Sequence, residues 1–333
     1  MRDVAARAGV SMKTVSNVVR GYQHVSPRMR ERVQAALDEL GYRPNLSGRS
    51  LATGRSSMLA LAVPDLRRPY FGELAHVFAR VSTERGYRLL LEETGGTAEG
   101  ERAVLRDLEV GVVAGMVIHP QALTAAELEV LRHDTPLVFL GEDPRPPTAD
   151  QVAIDNVAAA AEAVAHLVAL GRRRIGFIGH EAGALSNPSE LRLTGYRRAL
   201  TAAGLPYDES LLVTRAEGDA LGAETALNSA LDSGLRVDAL LCRDDLAAIG
   251  ALRALTQHGY AVPTDVAVIG WDAIELGAST TPSLTSVEPD THALVERALD
   301  LLLDRMETPD SPGHQATVGH RLVYRESAPA LAR

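Results

Sequence analysis

RDVAARAGVSMKTVSNVV, residues 2–19, decides how the rest of the chain is read. Val4, Ala5 and Ala8 recur at the spacing of one helical face, and Val10, Val15 and Val18 supply apolar positions to face them. Gly9 stands between the two sets, where a short turn needs a residue tolerant of positive φ. Ser11 is a good cap for a second helix, because its hydroxyl can accept from an unpaired N–H of the first turn. Lys13, Thr14, Ser16 and Asn17 then crowd the start of that helix. The pattern predicts a helix-turn-helix, in which the leading end of the second helix enters the DNA major groove.

Working outward, a third helix is expected from Ser26 to Leu40. Ser26 is placed to cap it, Pro27 suits its first position, and Val33, Ala36, Leu37 and Leu40 form its apolar stripe up to Gly41. Tyr42-Arg43-Pro44-Asn45 follows, then a short segment with helical potential, Leu46 to Ala52, and a polar linker. From Met58 the pattern changes. Short apolar runs (58–63, 87–91, 115–118, 137–140, 174–178, 238–242 and 266–269) alternate with amphipathic stretches such as 70–85, 156–170, 191–203, 245–258 and 291–306. Strand and helix in alternation predict parallel sheets with crossover helices, and continuous apolar strands predict sheets covered on both faces. About 275 residues of this pattern is large for one doubly wound sheet, so two lobes are expected.

Charge divides the chain at the same place. Formal net charge is −9 over 333 residues. Residues 1–55 nevertheless carry ten basic side chains against four acidic ones, a net of +6 that leaves −15 on the remainder. A basic head on an acidic body fits phosphate binding at one end only. Lys13, at an expected base-reading position, is the only lysine in the chain. The single cysteine, Cys242, excludes an internal disulfide and a cysteine-built metal cluster. No apolar run reaches the roughly 18 residues of a membrane span, and the charged, helical start is unlike a secretory signal, so a cytoplasmic protein is expected.

The order of these segments resembles the LacI/GalR family of bacterial transcriptional regulators. The matching stretches are DVAARAGVSMKTVSNVVRG (3–21), VSPRMRERVQAALDELGYRPN (25–45), RSLATGRS (49–56), VPDLRRPYFGEL (63–74), VAIDN (152–156), HLVALGRRRIGFIG (166–179), RLTGYRRAL (192–200), DDLAAIGALRAL (244–255), VPTDVAVIGWDAI (262–274) and PSLTSV (282–287). The resemblance implies an all-α helix-turn-helix head over residues 1–45, a hinge helix and linker over 46–56, and an α/β effector-binding and dimerisation body over 57–333. That body would be like a periplasmic sugar-binding protein, with two doubly wound parallel-sheet lobes joined by three crossovers. Lobe one would hold about 57–156 and 288–316, and lobe two about 157–287 and 317–333.

By the family pattern Met12, Lys13 and Asn17 face base edges. Lysine can donate to guanine, asparagine pairs bidentately with adenine, and Met12 can meet a thymine methyl. Thr14, Ser16 and Ser26 are placed for phosphate, and Ser11 and Asn45 complete the DNA-contact set. Leu51 matches a leucine that wedges into the minor groove and kinks the central step. Gly48 departs from the small helix formers usual in that hinge and weakens its helicity by about 1 kcal/mol. Ala52 lacks the polar side chain of some relatives. In the cleft, Tyr70 and Phe71 are positioned to flank an effector, Arg192 to donate to its oxygens, and Asp272 to accept from its hydroxyls. Asp244 stands where relatives often have asparagine, and His119, Asp155 and Trp271 join the set at strand ends. Paired arginine and aspartate suit a polyhydroxylated ligand, a sugar or sugar derivative.

These expectations describe a homodimeric repressor on a pseudo-palindromic operator, controlled by a carbohydrate effector and needing no cofactor or metal. The C-terminal RLVYRESAPALAR lacks the leucine heptads of a tetramerising tail. A sugar receptor serving a transporter would show a signal peptide and no DNA head, the reverse of this chain. A doubly wound enzyme would show a G-x-G-x-x-G, G-x-S-x-G, H-E-x-x-H or P-loop motif, and none occurs; the P-loop is excluded because Lys13 is the only lysine. The remaining alternative is a cytoplasmic sugar-binding protein without functional DNA binding.

Overall fold

A computed structural model describes residues 1–19, 22, 24–41, 56–107, 112–131, 136–142, 148–181, 187–215 and 218–331. They form two units, Met1–Ser57 and Met58–Arg333.

The first unit contains α1 (Arg2–Ala8), α2 (Met12–Val19) and α3 (Pro27–Glu39). Gly9 ends α1 in the left-handed region, φ 62°, which lets the Val10 N–H turn back to the Ala5 carbonyl at 2.9 Å. The Ser11 hydroxyl accepts from the Thr14 N–H at 3.1 Å and starts α2. Val4, Ala5, Ala8, Val15, Val18, Val33, Ala36 and Leu37 close into one small core. Arg32 reaches from α3 to the Ala8 carbonyl at the end of α1, at 2.6 Å. Ser26 does not act as expected: it occupies the cap position of α3 but its hydroxyl makes no cap bond. Pro27, which has no N–H to satisfy, opens the helix instead. The expected hinge helix, with Asn45, Gly48, Leu51 and Ala52, lies outside the described residues.

The second unit is built on two six-stranded sheets. One contains β1 (Met58–Val63), β2 (Arg88–Glu93), β3 (Gly115–Ile118), β4 (Leu137–Leu140), β5 (Asp150–Ile154) and β11 (Gln315–Val318), in the order β11-β5-β4-β3-β1-β2, all parallel. Helices Pro69–Glu84 and Thr291–Glu307 cover one face of it, and Ala98–Asp107 and Ala125–Leu131 the other. The second sheet contains β6 (Ile175–Glu181), β7 (Leu212–Arg215), β8 (Ala239–Cys242), β9 (Ala267–Trp271), β10 (Thr285–Pro289) and β12 (His320–Val323), in the order β12-β10-β9-β8-β6-β7. It lies between helices Asn156–Ala169 and Asn187–Ala202 on one side and Ala220–Asp232 and Asp245–Gln257 on the other. The central strands are buried apolar runs because both faces are covered.

The chain passes between the lobes three times, after β5, after β10 and between β11 and β12. Each passage leaves from the carboxyl end of a strand. This explains the one departure from a parallel pattern. Only Gly319 separates β11 from β12, so the chain reaches the second sheet at the carboxyl end of β10 and has to run back along it. β12 is accordingly antiparallel, with His320 opposite Pro289 and Val323 opposite Ser286. A buried ion pair, Arg305 to Asp150 at 2.9 Å, ties the end of helix Thr291–Glu307 to β5. The same guanidinium donates to the carbonyls of Pro309, Ser311 and Pro312, which fixes the loop leading to β11.

Candidate functional site

On the head, Met12, Lys13, Ser16 and Asn17 occupy the side of α2 turned away from Val15 and Val18. Met12 is 51% exposed, an unusual position for a large apolar side chain. Thr14 is half-buried, and its hydroxyl lies 2.9 Å from that of Ser11. Those two hydroxyls therefore shape the turn, and Lys13, Ser16 and Asn17 carry the polar reach. Ser26 is exposed.

In the body, a cleft opens between the carboxyl ends of the two sheets, as expected for open parallel sheets. Tyr70, His119, Gly141, Glu142 and Ile154 line it from the first lobe, and Pro188, Arg192, Trp271 and Asp272 from the second. Its volume is about 50 Å³. Arg192 is the best-held group. Its Nε donates to Asn156 Oδ1 at 2.7 Å, its Nη1 donates to the Arg243 carbonyl, and its guanidinium lies 4.0 Å over the Trp271 ring. Such stacking adds cation–π attraction to the hydrogen bonds and leaves the guanidinium one orientation.

Asp272 follows β9 with φ 96°, and Ala273 with φ 52°, a conformation that costs a non-glycine residue on the order of 1–3 kcal/mol. The surroundings enforce it. The Asp272 N–H donates to the Val287 carbonyl, the Ala273 N–H to Ser286 Oγ, and the Ile274 N–H to Asp245 Oδ2. The Ser286 hydroxyl in turn donates to Asp245 Oδ1 at 2.6 Å. Asp245 is thus a buried brace for the loop that presents Asp272, and burial raises its carboxyl well above the usual range.

Burial also pushes the Asp272 carboxyl up to about 7, against the opposing pull of Arg192. Its capacity to accept two hydroxyl hydrogen bonds as a carboxylate therefore falls as the pH drops below about 7. Burial raises Glu142, again opposed by Arg192, and Glu142 accepts the Ile154 N–H at 3.2 Å. The same desolvation lowers the Arg192 guanidinium and raises the Tyr70 hydroxyl. It lowers His119 to about 4, so that imidazole is neutral near pH 7.

The structure brings Tyr70, His119, Arg192, Trp271 and Asp272 together; Phe71 and Asp155 fall elsewhere, and Asp244 lies beside the site without lining it. Phe71 is 4% exposed and belongs to the core of the first lobe, where its ring edge backs Tyr70 and His119 at 5.2 and 5.3 Å. Asp155 is exposed and caps helix Asn156–Ala169 through the Ala158 N–H. Asp244 is 2% exposed and caps helix Asp245–Gln257 with one oxygen while the other meets Arg68 at 2.7 Å. Three residues join the site that sequence reasoning did not single out: Glu142, Asn156 and Arg68. A carboxylate directly after a strand, as in the Leu140-Gly141-Glu142 run, is the signal that would have pointed to Glu142. Among the described residues, no group of three or more His, Cys, Asp or Glu could hold a metal. Nor is any described helix long and apolar enough to cross a membrane.

Comparison with known proteins agrees with both units. Residues 1–45 match the family model "Bacterial regulatory proteins, lacI family", and residues 164–328 match "Periplasmic binding protein-like domain". The transcriptional regulator AscG of Escherichia coli is 34% identical over 339 residues, covering 100% of this chain and 99% of its own. Among solved structures, a CelR–cellobiose complex is 30% identical with TM-score 0.72, covering 98% of each chain. The lac repressor dimer bound to operator and an anti-inducer is 27% identical with TM-score 0.85, again over 98% of each. The chain belongs to the LacI family: it is a DNA-binding transcriptional regulator with a periplasmic-binding-protein-like body, and not an enzyme.

Proposed function

We propose that the chain is a cytoplasmic repressor that binds a pseudo-palindromic operator as a homodimer and answers to a carbohydrate effector held in the cleft. The observation that carries the effector half is the fixed Arg192 guanidinium on Trp271, with the Asp272 and Glu142 carboxyls sharing the same cleft. A planar fork of donors beside carboxylate acceptors recognises vicinal hydroxyls, whose oxygens accept and whose protons donate. The cellobiose bound by the related CelR is a ligand of that kind. On the head, Lys13 would donate to guanine, Asn17 pair with adenine and Met12 meet a thymine methyl, while Ser16 positions the helix on phosphate. Asn45 and Leu51 would add a backbone contact and a minor-groove wedge. Effector binding would change the angle between lobes and thus the affinity for operator, and operator would change effector affinity by the same factor.

Selection of bound fragments from random and genomic DNA tests this, followed by competition with cellobiose and a panel of mono- and disaccharides. A palindromic motif, with a sugar that alters its dissociation constant, is the expected result. Absence of enrichment with and without the panel, combined with sugar-dependent thermal stabilisation, would replace it by a sugar-binding protein without DNA function.

A further inference from the structure

Arg68 and Asp244 stand on opposite lobes, 176 residues apart in sequence. Arg68 precedes helix Pro69–Glu84 of the first lobe, and Asp244 follows β8 of the second. They meet at 2.7 Å, with side-chain exposures of 21% and 2%. A second tie crosses beside them, from the Glu275 N–H to Glu73 Oε1 at 3.0 Å. Asp244 cannot follow a moving partner, because its other oxygen caps helix Asp245–Gln257 through the Ala247 N–H at 2.8 Å. Arg68 is the more exposed arm, and Asp244 the buried, fixed catch.

The cavity between the lobes that Tyr70, His119, Arg192, Trp271 and Asp272 line holds about 50 Å³. That is room for a water molecule or two, whereas small-molecule pockets occupy roughly 300–1,000 Å³. A sugar ring needs more room than this cavity gives, and widening it by moving the lobes apart requires both ties between them to part. We propose that Arg68 and Asp244 form a latch that an incoming effector has to open, so that these two residues govern access to the cleft rather than contact within it. This rests on the cleft being the effector site. A latch that favours the closed, empty state reduces apparent effector affinity by the fraction of molecules that are open. Unlatching would raise that fraction without touching the groups that line the cleft.

The test is the distance between spin labels on cysteines introduced as Ala122→Cys and Gly218→Cys, exposed positions after β3 and β7. Labelled chains are diluted with unlabelled protein so that each dimer carries one pair; native Cys242 is buried. The double variant Arg68→Ser/Asp244→Asn removes both charges while asparagine keeps the helix cap. Urea melts confirm that it is folded. The wild type is expected to give one short, narrow distance, and the double variant a longer and broader distribution. Arg68→Lys, which keeps the charge, should stay near the wild type. Superimposable distributions for wild type and double variant, or a broad open one for the wild type, would overturn the latch. A longer distance with operator affinity unchanged to within about twofold would uphold the latch and remove the proposed coupling between cleft and DNA.

Discussion

The two units prepare their polar side chains in opposite ways. On the head, Met12 and Lys13 stand exposed at the start of α2 with Ser16 and Asn17 half-buried beside them, and the Ser11–Thr14 turn behind them is fixed. In the body, Arg192 is buried and held by Asn156, the Arg243 carbonyl and the Trp271 ring, and Asp272 is held by a strained loop braced on Asp245. The difference fits what each is proposed to meet. Duplex DNA brings its own charge and a rigid groove, so an exposed lysine gains its partner on binding. A small neutral ligand brings little, so the protein has to orient its donors and acceptors beforehand. The head can accordingly change specificity at small cost to its fold, while the cleft cannot.

The largest effect should come from Arg192→Ala. It removes the donor fork and leaves the Asn156 oxygen and the Arg243 carbonyl without their partner. Sugar binding by calorimetry is expected to vanish, and urea unfolding of the body to show a loss of at least about 2 kcal/mol. A variant of full stability that still binds sugar would show that the cleft is no more committed than the head. Next is His119. Its folded value near 4 lies below that of an exposed imidazole, so the unfolded chain binds more protons between about pH 6.5 and 4. Stability should therefore fall as the pH drops through that window, by on the order of 2–3 kcal/mol, and His119→Gln should flatten this limb in urea melts at stepped pH. An unchanged limb would mean that His119 is hydrated. The smallest effect on folding is expected from Lys13→Ala. Operator affinity should drop by about 1–3 kcal/mol, with relaxed specificity at one base pair and stability unchanged within roughly 0.5 kcal/mol. A loss of head stability comparable with the loss of affinity would erase the contrast between the units.

The same contrast governs how much could be read from sequence. The head is specified by neighbours three or four residues apart: Gly9 for the turn, Ser11 for the cap, Val15 and Val18 for the core. The central strands β1, β3, β4, β8 and β9 are visible as apolar runs because both faces of each sheet are covered. β5 was not visible. It begins with Asp150, whose burial is tolerable because Arg305 and the His314 N–H meet it from 155 and 164 residues away. β11 alternates exposed and half-buried residues at a sheet edge, and its QATV sequence has too little apolar content to stand out. In the cleft, Arg192, Trp271 and Asp272 were marked by their places in matching motifs. Asp244 and Arg68 could not be understood that way, since each acquires its role from a residue on the other lobe.

The three passages between lobes have a consequence for the order in which the molecule can be made. The head is complete after its first forty-odd residues and has a core of its own. Neither lobe is. Helix Thr291–Glu307 contributes Leu294, Val295, Ala298, Leu299, Leu301 and Leu302 to the core of a lobe whose first strand begins at Met58. β12 closes the edge of the other lobe. During synthesis both lobes must wait, with apolar faces uncovered, until the last tenth of the chain emerges, and they then close almost together. Long sequence separation of this kind slows folding and lengthens exposure to aggregation. A chain interrupted near residue 290 would thus present a finished head on a body with both lobes unfinished.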